Sequence, residues 1–355
     1  MQFGIAIPTD SDSWRLVRRA EELGFHNAWF YDTQLLSADC FVAMAACAMR
    51  TTRIRLGTGV LIPSNRIAAV TANAFASLNK LAPGRIDFGI STGFTGRRTM
   101  GLGAVKLSDM EEYIRVVQAL WRRETVEADV EGKQRLIRFL NPELGLINLD
   151  DPMPLYIAAS GPRARALTAK LDAGWIDGAA SVAHATANLG LMRAAWTTAG
   201  RSTPLNAVAW AGGAVLQPGE PADSPRVIAQ SGPRAAVMLH RAADQALSDL
   251  PNTAPLPPQF KEIAERYVTM ARNYGPQGAH YLSNHRGHLM FVRDDERPFL
   301  TAELIRHATW TATAPELIER IAAIEAAGFN QIVFSILPGQ EHAIEDWGQI
   351  RRAFP

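Results

Sequence analysis

The residue types best suited to bind an anion stand in one short run of this 355-residue chain, from Ala159 to Arg163. Ser160 and Gly161 close an apolar run, and Pro162 suits the first position of a helix because its missing N–H costs nothing there. The backbone amides of Ser160, Gly161 and Arg163 would then face outward at a helix N-terminus, where phosphate groups bind. The Arg163 guanidinium would add charge and a planar hydrogen-bonding fork. The run predicts either a phosphate site or an ordinary turn that begins a helix.

A second run, Leu56–Val60, carries glycines at positions 57 and 59. Glycine weakens a strand, so the pair indicates a bulge or the close approach of another body. Thr58 stands between them and is placed to hydrogen-bond the edge of a bound ring. The alternative is a glycine kink that only relieves crowding.

A third run, Gly89–Gly93, also consists of small residues and offers the hydroxyls of Ser91 and Thr92. A flat aromatic ring can lie against such a backbone-rich segment. Arg97 and Arg98 follow, either as contacts to an anionic group or as solvated loop charges. The three runs would leave room for a flat, phosphorylated ring, but the residues alone favour the ordinary turn at Ala159–Arg163.

One aspartate and two histidines are the candidates for proton transfer. Asp32 ends an apolar run, where it would either orient a ligand and exchange a proton or accept hydrogen bonds from loop amides. His285 and His288 have a spacing that can bind a metal on a helix, but Arg286 and the helix-breaking Gly287 argue against a metal. We therefore predict no metal and a loop over the pocket in which either histidine contacts substrate or donates a proton. Surface or structural histidines are the equal alternative.

These candidates lie at or near strand-like runs that alternate with helix-like ones, a pattern typical of βα units and a parallel sheet. Eight runs are predicted as strands: Phe3–Pro8, Ala28–Asp32, Arg53–Leu61, Arg85–Ser91, Pro154–Ser160, Trp175–Ala180, Asn206–Leu216 and Gln331–Leu337. The helices predicted with defined bounds are Asp39–Arg50, Ala68–Leu81, Ser108–Trp121 and Ala314–Ala327, with a capping box at Ser108 and Glu111 and a hairpin around Glu131-Gly132. Eight strands form a (β/α)₈ barrel, whose active site lies at the C-terminal ends of the strands.

A long segment separates the last two predicted strands, at about residues 217–311 of a single domain spanning 1–355. It contains helical stretches at Arg234–Leu250 and Pro258–Tyr274 and a proline-rich loop at Pro251–Pro258. Long insertions after barrel strands tend to act as lids or pocket walls. The equal alternative is a helical elaboration that packs on the barrel or forms a dimer.

Composition excludes several classes of protein. The chain is 47% hydrophobic and 20% charged with a formal net charge of +1, so it has neither the basic face of a nucleic-acid-binding protein nor an acidic tail. Its apolar runs are too short to span a bilayer, and its N-terminus reads directly as a strand, so we expect a cytoplasmic protein. Cys40 and Cys47 are expected to be buried thiols.

Several segments in order resemble the bacterial luciferase-like superfamily of flavin- and F420-dependent oxidoreductases, nearest its methylenetetrahydromethanopterin reductase-like branch. The segments are Ala20–Asp32, Thr51–Arg66, Gly84–Gly93, Met110–Glu124, Pro154–Gly178 and Thr311–Phe334. The resemblance implies that the run at Ala159–Arg163 grips the cofactor phosphate and that a cis peptide joins Gly59 to Val60 beneath the cofactor ring. Many relatives carry a histidine just after the position of Asp32, whereas this chain has Thr33, so no histidine acid–base role is transferred to that position.

Within this superfamily we favour, by a small margin, a two-component monooxygenase that uses reduced FMN and O₂ on a small, partly apolar substrate. Such an enzyme would depend on a separate flavin reductase, and a homodimer or higher homo-oligomer is expected. The first alternative is an F420-dependent reductase or dehydrogenase that transfers hydride. The others are a flavin-binding barrel without catalysis and, last, a metal-dependent barrel hydrolase.

Overall fold

The computed structural model describes residues 1–248, 250 and 256–354. Its strands are β1 (Gln2–Ile7), β2 (Asn27–Phe30), β3 (Arg55–Thr58), β4 (Ile86–Ile90), β5 (Val126–Val130), β6 (Lys133–Ile137), β7 (Leu155–Ala158), β8 (Gly174–Gly178), β9 (Ala207–Ala211), β10 (Val215–Leu216), β11 (Ala312–Thr313) and β12 (Gln331–Ser335). Eight of them close a barrel in the order β1, β12, β9, β8, β7, β4, β3, β2, and the adjacent pairs are parallel. The predicted (β/α)₈ barrel is therefore confirmed.

Helices connect and cover these strands. They are α1 (Trp14–Glu22), α2 (Cys40–Ala48), α3 (Ala68–Leu81), α4 (Thr95–Arg98), α5 (Leu107–Trp121), α6 (Pro162–Lys170), α7 (Val182–Thr198), α8 (Pro225–Leu247), α9 (Lys261–Ala271), α10 (His280–Asn284), α11 (Ala302–Ala308), α12 (Ala314–Ala327) and α13 (Ala343–Arg351). The bounds of α3 and α12 are those predicted. Helix α12 ends at Gly328, whose φ of +111° favours glycine.

The predicted capping box at Ser108 and Glu111 is wrong. Helix α5 begins one residue earlier, with Lys106 as its N-cap, and the Ser108 hydroxyl donates to the neighbouring Asp109. A capping box does occur at the start of α12, where Thr313 and Glu316 cap each other reciprocally. The predicted hairpin is confirmed as the antiparallel pair β5–β6.

The seventh predicted strand is interrupted. Barrel strand β9 ends at Ala211, and β10 pairs instead with β11 outside the barrel. Gly212 and Gly213 separate the two, and a Cβ on Gly213 would lie 2.7 Å from the backbone of Trp310. Close packing against that backbone requires a glycine and turns the chain out of the barrel wall.

The segment between β10 and β11 builds its own apolar core, chiefly from α8, α9 and α11. Its buried members include Leu239, Tyr267 and Leu304. The predicted helical stretches correspond to α8, which starts earlier at Pro225, and to α9 with the short turn before it. Residues 251–255 of the predicted proline-rich loop lie outside the described residues.

The barrel interior has a polar end and an aromatic end. At the polar end, the Arg55 guanidinium lies 2.6 Å from the Asp87 carboxylate, and Asn27 donates to the same carboxylate at 2.9 Å. Above this, Trp29 is fully buried, and Tyr31 and Trp210 pack over the same cluster. The aromatic residues therefore form a floor beneath the C-terminal ends of the strands.

Two further expectations can be compared with the structure. Cys40 and Cys47 are buried free thiols, as expected. Burial raises the pKa of the Cys47 thiol to about 12. None of the helices among the described residues combines the length and apolarity needed to cross a bilayer.

Candidate active site

A cavity of about 290 Å³ opens at the C-terminal ends of the barrel strands. This is close to the lower end of the volumes of small-molecule pockets, about 300–1,000 Å³. Six of the predicted site residues line it: Asp32, Gly59, Val60, Ser91, Ser160 and His288. The structure thus brings the ends of β2, β3 and β4, the start of α6 and the segment after β9 to one cavity.

Aromatic rings form the floor of the cavity, and the backbone at Gly59 lies very close to one of them. The rings of Tyr31 and Trp210 lie 6.3 Å apart at an angle of 30°. A Cβ on Gly59 would lie 2.5 Å from the Trp210 ring, so only glycine fits there without a rearrangement. The peptide bond between Gly59 and Val60 is cis, as the resemblance implies.

Three residues predicted to bind the cofactor have other contacts. The Thr58 hydroxyl is fully buried and donates to the Gly89 carbonyl at 2.6 Å, which leaves it no part at a ring edge. Ala159 is buried, and its carbonyl accepts a hydrogen bond from the Trp175 indole at 2.8 Å. The Thr92 carbonyl accepts a hydrogen bond from the Val105 amide at 2.8 Å. These residues do not line the cavity.

The run at Ser160–Arg163 forms the start of α6, as predicted. Gly161 is the N-cap and Pro162 the first helical residue, so the first-turn amides are left without intrahelical acceptors. A Cβ on Gly161 would meet nothing within 4 Å, so the side-chain position at the N-cap is open. Arg163 is exposed and lies outside the cavity wall, whereas the buried Arg165 donates to the Ser160 carbonyl at 2.5 Å.

Asp32 is held by donors on several sides. Its carboxylate accepts hydrogen bonds from the Arg66 guanidinium at 2.8 Å and from the Ile62 amide and the Asn65 side chain, both at 3.1 Å. The side chain is 4% exposed. These contacts tie the loop after β2 to the loop after β3. Asp32 thus accepts hydrogen bonds from loop groups, which is the second of the two roles given in the sequence analysis, and it also forms an ion pair with Arg66.

The two predicted histidines are buried and not on an exposed loop, each 1% exposed. The Nε2 atom of His285 lies 2.9 Å from the Asp244 carboxylate, and His285 does not line the cavity. His288 does line it. Burial, reinforced by nearby histidines and arginines, lowers the pKa of His288 well below its ordinary value, so its ring is neutral at physiological pH.

The two arginines after β4 are engaged within the protein. Arg97 donates to the Ser64 hydroxyl at 2.7 Å, and Arg98 pairs with the buried Asp244. Arg98 also lies 4.3 Å from the centre of the Phe94 ring, which lines the cavity. They are therefore structural contacts and not the solvated charges that the sequence analysis allowed.

Sequence reasoning assigned no role to a polar corner of the cavity formed by Tyr31, Ser335 and Arg234. The hydroxyls of Tyr31 and Ser335 lie 3.0 Å apart. Arg234 reaches in from α8, and no described acidic side chain pairs with its guanidinium. Burial raises the pKa of Tyr31 and lowers that of Arg234. Position at a strand end was a usable signal for Tyr31, whereas Arg234 carried none.

Residues 1–331 match the family model described as luciferase-like monooxygenase. A curated relative, the F420-dependent glucose-6-phosphate dehydrogenase of Beutenbergia cavernae, is 35% identical over 141 residues, which cover 38% of this chain and 40% of that protein. The 5,10-methylenetetrahydromethanopterin reductase of Archaeoglobus fulgidus is 30% identical over 179 residues, covering 49% and 52%. The chain therefore spans about half the length, or less, of these curated relatives.

A solved structure resembles the fold over nearly its whole length. It is the coenzyme F420-dependent tetrahydromethanopterin reductase of Methanopyrus kandleri, with a TM-score of 0.68 and 19% identity. The alignment covers 98% of this chain and 97% of that one. At this identity the likeness concerns the fold alone.

Proposed function

Because the chain belongs to the luciferase-like monooxygenase family, we propose that it is an oxidoreductase that binds F420 at the strand ends and transfers hydride to or from a small substrate. The observation that carries the proposal is the convergence of Gly59–Val60, Ser91 and Ser160 on one cavity. Each of these segments is small and backbone-rich, as a flat ring with a phosphate requires.

The choice of F420 over FMN rests on the relatives. The curated proteins that share about 30–35% identity with this chain include an F420-dependent dehydrogenase and a methylenetetrahydromethanopterin reductase. The sequence analysis favoured reduced FMN by a small margin. Because the family model is described as luciferase-like monooxygenase, an FMN-dependent monooxygenase is the second candidate function.

Different residues of this chain would bind the ring and the phosphate of the cofactor. Val60 and Trp210 would support one face of the ring, and the amides at the start of α6 with the Ser160 hydroxyl would hold the phosphate. A bound deazaflavin would supply the hydride chemistry, and the protein would supply position and a dry pocket.

The polar corner indicates where a substrate would sit. Burial keeps the Tyr31 hydroxyl protonated, so it can donate a hydrogen bond to a carbonyl or alcohol oxygen. The Arg234 guanidinium would bind an anionic group in a bidentate manner. We therefore propose a substrate that carries an alcohol or carbonyl together with a carboxylate or phosphate.

The proposal is tested by incubating the protein with oxidised F420 and a panel of small anionic hydroxy compounds, and with reduced F420 and the matching carbonyl compounds. Loss or recovery of the deazaflavin absorbance with stoichiometric product supports it. Oxygen-dependent product formation from reduced FMN, without turnover of F420, would instead identify a monooxygenase. Turnover with neither cofactor would support a binding protein without catalysis.

A further inference from the structure

Three histidines meet in the interior of the segment between β10 and β11, beside the cavity. His240 lies on α8, and His285 and His288 belong to the turn that follows α10. Each is 1% exposed. One ring nitrogen from each lies within 4.8 Å of the other two. We call this set the histidine triad.

Carboxylates determine the tautomers of two of the rings. The Nε2 atom of His240 lies against the Glu296 carboxylate, and Nε2 of His285 lies 2.9 Å from Asp244. A carboxylate only accepts hydrogen bonds, so each of these Nε2 atoms is placed to donate its N–H. In the tautomer that carries its single proton on Nε2, Nδ1 of His240 and Nδ1 of His285 present lone pairs.

Both lone pairs face the same nitrogen. The Nδ1 atom of His288 lies 2.6 Å from Nδ1 of His240 and 3.2 Å from Nδ1 of His285. A single N–H on His288 can satisfy only one of them fully. Hydrogen bonds within the triad therefore leave one of the two facing lone pairs incompletely satisfied, which is costly in a protein interior.

We propose that the histidine triad is a binding site for a divalent transition-metal ion, with zinc as the best-matched ion. Three neutral imidazoles are a common zinc ligand set, with water at the fourth position. The contacts of Glu296 and Asp244 with the far ring nitrogens reproduce the outer-shell carboxylates that orient metal-binding histidines.

Two of the three nitrogen–nitrogen separations can be compared directly with those of a zinc site, and the third is within 4.8 Å. Zinc–nitrogen bonds of about 2.0–2.1 Å set tetrahedral ligand nitrogens about 3.3–3.4 Å apart. The 3.2 Å separation between the Nδ1 atoms of His285 and His288 is already close to this value. The 2.6 Å separation between the Nδ1 atoms of His240 and His288 must widen by about 0.7 Å on binding.

Two buried carboxylates lie beside the triad. Asp244 and Glu296 provide the negative charge that offsets a cation, although each is also paired, with Arg98 and Arg293 respectively.

A metal at the triad would fasten α8 to the turn that carries His288. Because His288, Leu289 and Met290 line the cavity, the ion would fix one wall of the pocket without contacting the cofactor residues. The sequence analysis predicted no metal because Arg286 and Gly287 argued against a helical site built on His285 and His288. The third ligand is 45 positions earlier, and only folding brings it close.

The test is a titration of the full-length protein, freed of metal by a chelator and studied without cofactor. We expect one equivalent of Co²⁺ to bind and to give the visible absorption of tetrahedral nitrogen coordination, and Zn²⁺ to displace it. His288→Gln should weaken binding more than about 100-fold, because loss of an outer-shell partner alone typically costs 10–100-fold. His307→Gln, an exposed histidine of the same segment, is the matched control and should bind as the wild type does.

Zn²⁺ should also raise the melting temperature of the wild type and of the His307→Gln variant but not that of His288→Gln. If His288→Gln does not fold, His240→Gln replaces it, and the wild-type titration decides in any case. Absence of Co²⁺ and Zn²⁺ binding by the wild type at micromolar protein would overturn the proposal. So would equal affinity in the wild type and a folded triad variant.

Discussion

Replacing Asp32 by asparagine separates a positioning role from a proton-transfer role. In the wild type this buried carboxylate accepts hydrogen bonds from the Arg66 guanidinium, the Ile62 amide and the Asn65 side chain. Asp32→Asn removes the charge and leaves Asp39, at 2.6 Å, as the ion-pair partner of Arg66 among the described residues. We expect the main effect to be on the free energy of unfolding.

The magnitude follows from the contacts. Removing one partner of a buried ion pair typically costs 3–5 kcal/mol. Arg66 keeps Asp39, and the asparagine can still accept a hydrogen bond, so we expect the lower end, about 3 kcal/mol. For a chain of 355 residues that corresponds to a fall in melting temperature of roughly 4 °C.

Thermal unfolding followed by circular dichroism measures this effect, with Asp39→Asn as the control. Asp39 has a side chain that is 45% exposed, so its pair with Arg66 should contribute less than about 1 kcal/mol. A variant Asp32→Asn with wild-type stability and cofactor affinity but with kcat lowered by orders of magnitude would refute the positioning role. That result would restore proton exchange by Asp32.

Three other outcomes are expected. Ser160→Ala and Arg163→Ala should weaken cofactor affinity in an equilibrium titration more than they change any pH-dependent rate. The control Arg272→Ala, at an exposed position, should leave cofactor affinity unchanged. Unchanged affinity in both the Ser160 and the Arg163 variants would rule out the phosphate site. Arg234→Gln should raise KM for an anionic substrate at least about tenfold with a smaller change in kcat, and equal loss for a neutral analogue would contradict anion binding. Glu220→Gln should lower the melting temperature near neutral pH, because hydrogen bonds to Arg226 hold the pKa of the Glu220 carboxyl at about 2. That stabilisation is present above the unfolded-state pKa and is lost as pH falls through about 2, so melting temperatures that stay apart there would count against it.

The parts of the fold that follow local rules were predictable from sequence. The helix Ala68–Leu81 is bounded by Pro83 and Gly84, and Ala314–Ala327 by Gly328, so both were located correctly. The strands are short buried runs of the kind that parallel sheets require. The break after Ala211 was not predictable, because it depends on the backbone of Trp310, which is distant in sequence.

The candidate site was predictable only where it lies at strand ends. Gly59, Ser91 and Ser160 meet at one cavity because the C-terminal ends of parallel strands meet at one face. The orientation of neighbouring side chains was beyond sequence reasoning: Tyr31 packs over the barrel interior, whereas Asp32 bonds to Arg66. The contributions from α8 were missed because they depend on how the long segment packs on the barrel.

The central claim is that the cavity binds F420, and equilibrium titration of the wild-type protein with F420 and with FMN tests it most directly. The account predicts saturable binding of F420 with a dissociation constant in the micromolar range or below, at least about tenfold tighter than FMN, a difference of about 1.4 kcal/mol. Tighter binding of FMN would shift the function to the flavin monooxygenase candidate. Binding of neither at micromolar protein would contradict the account.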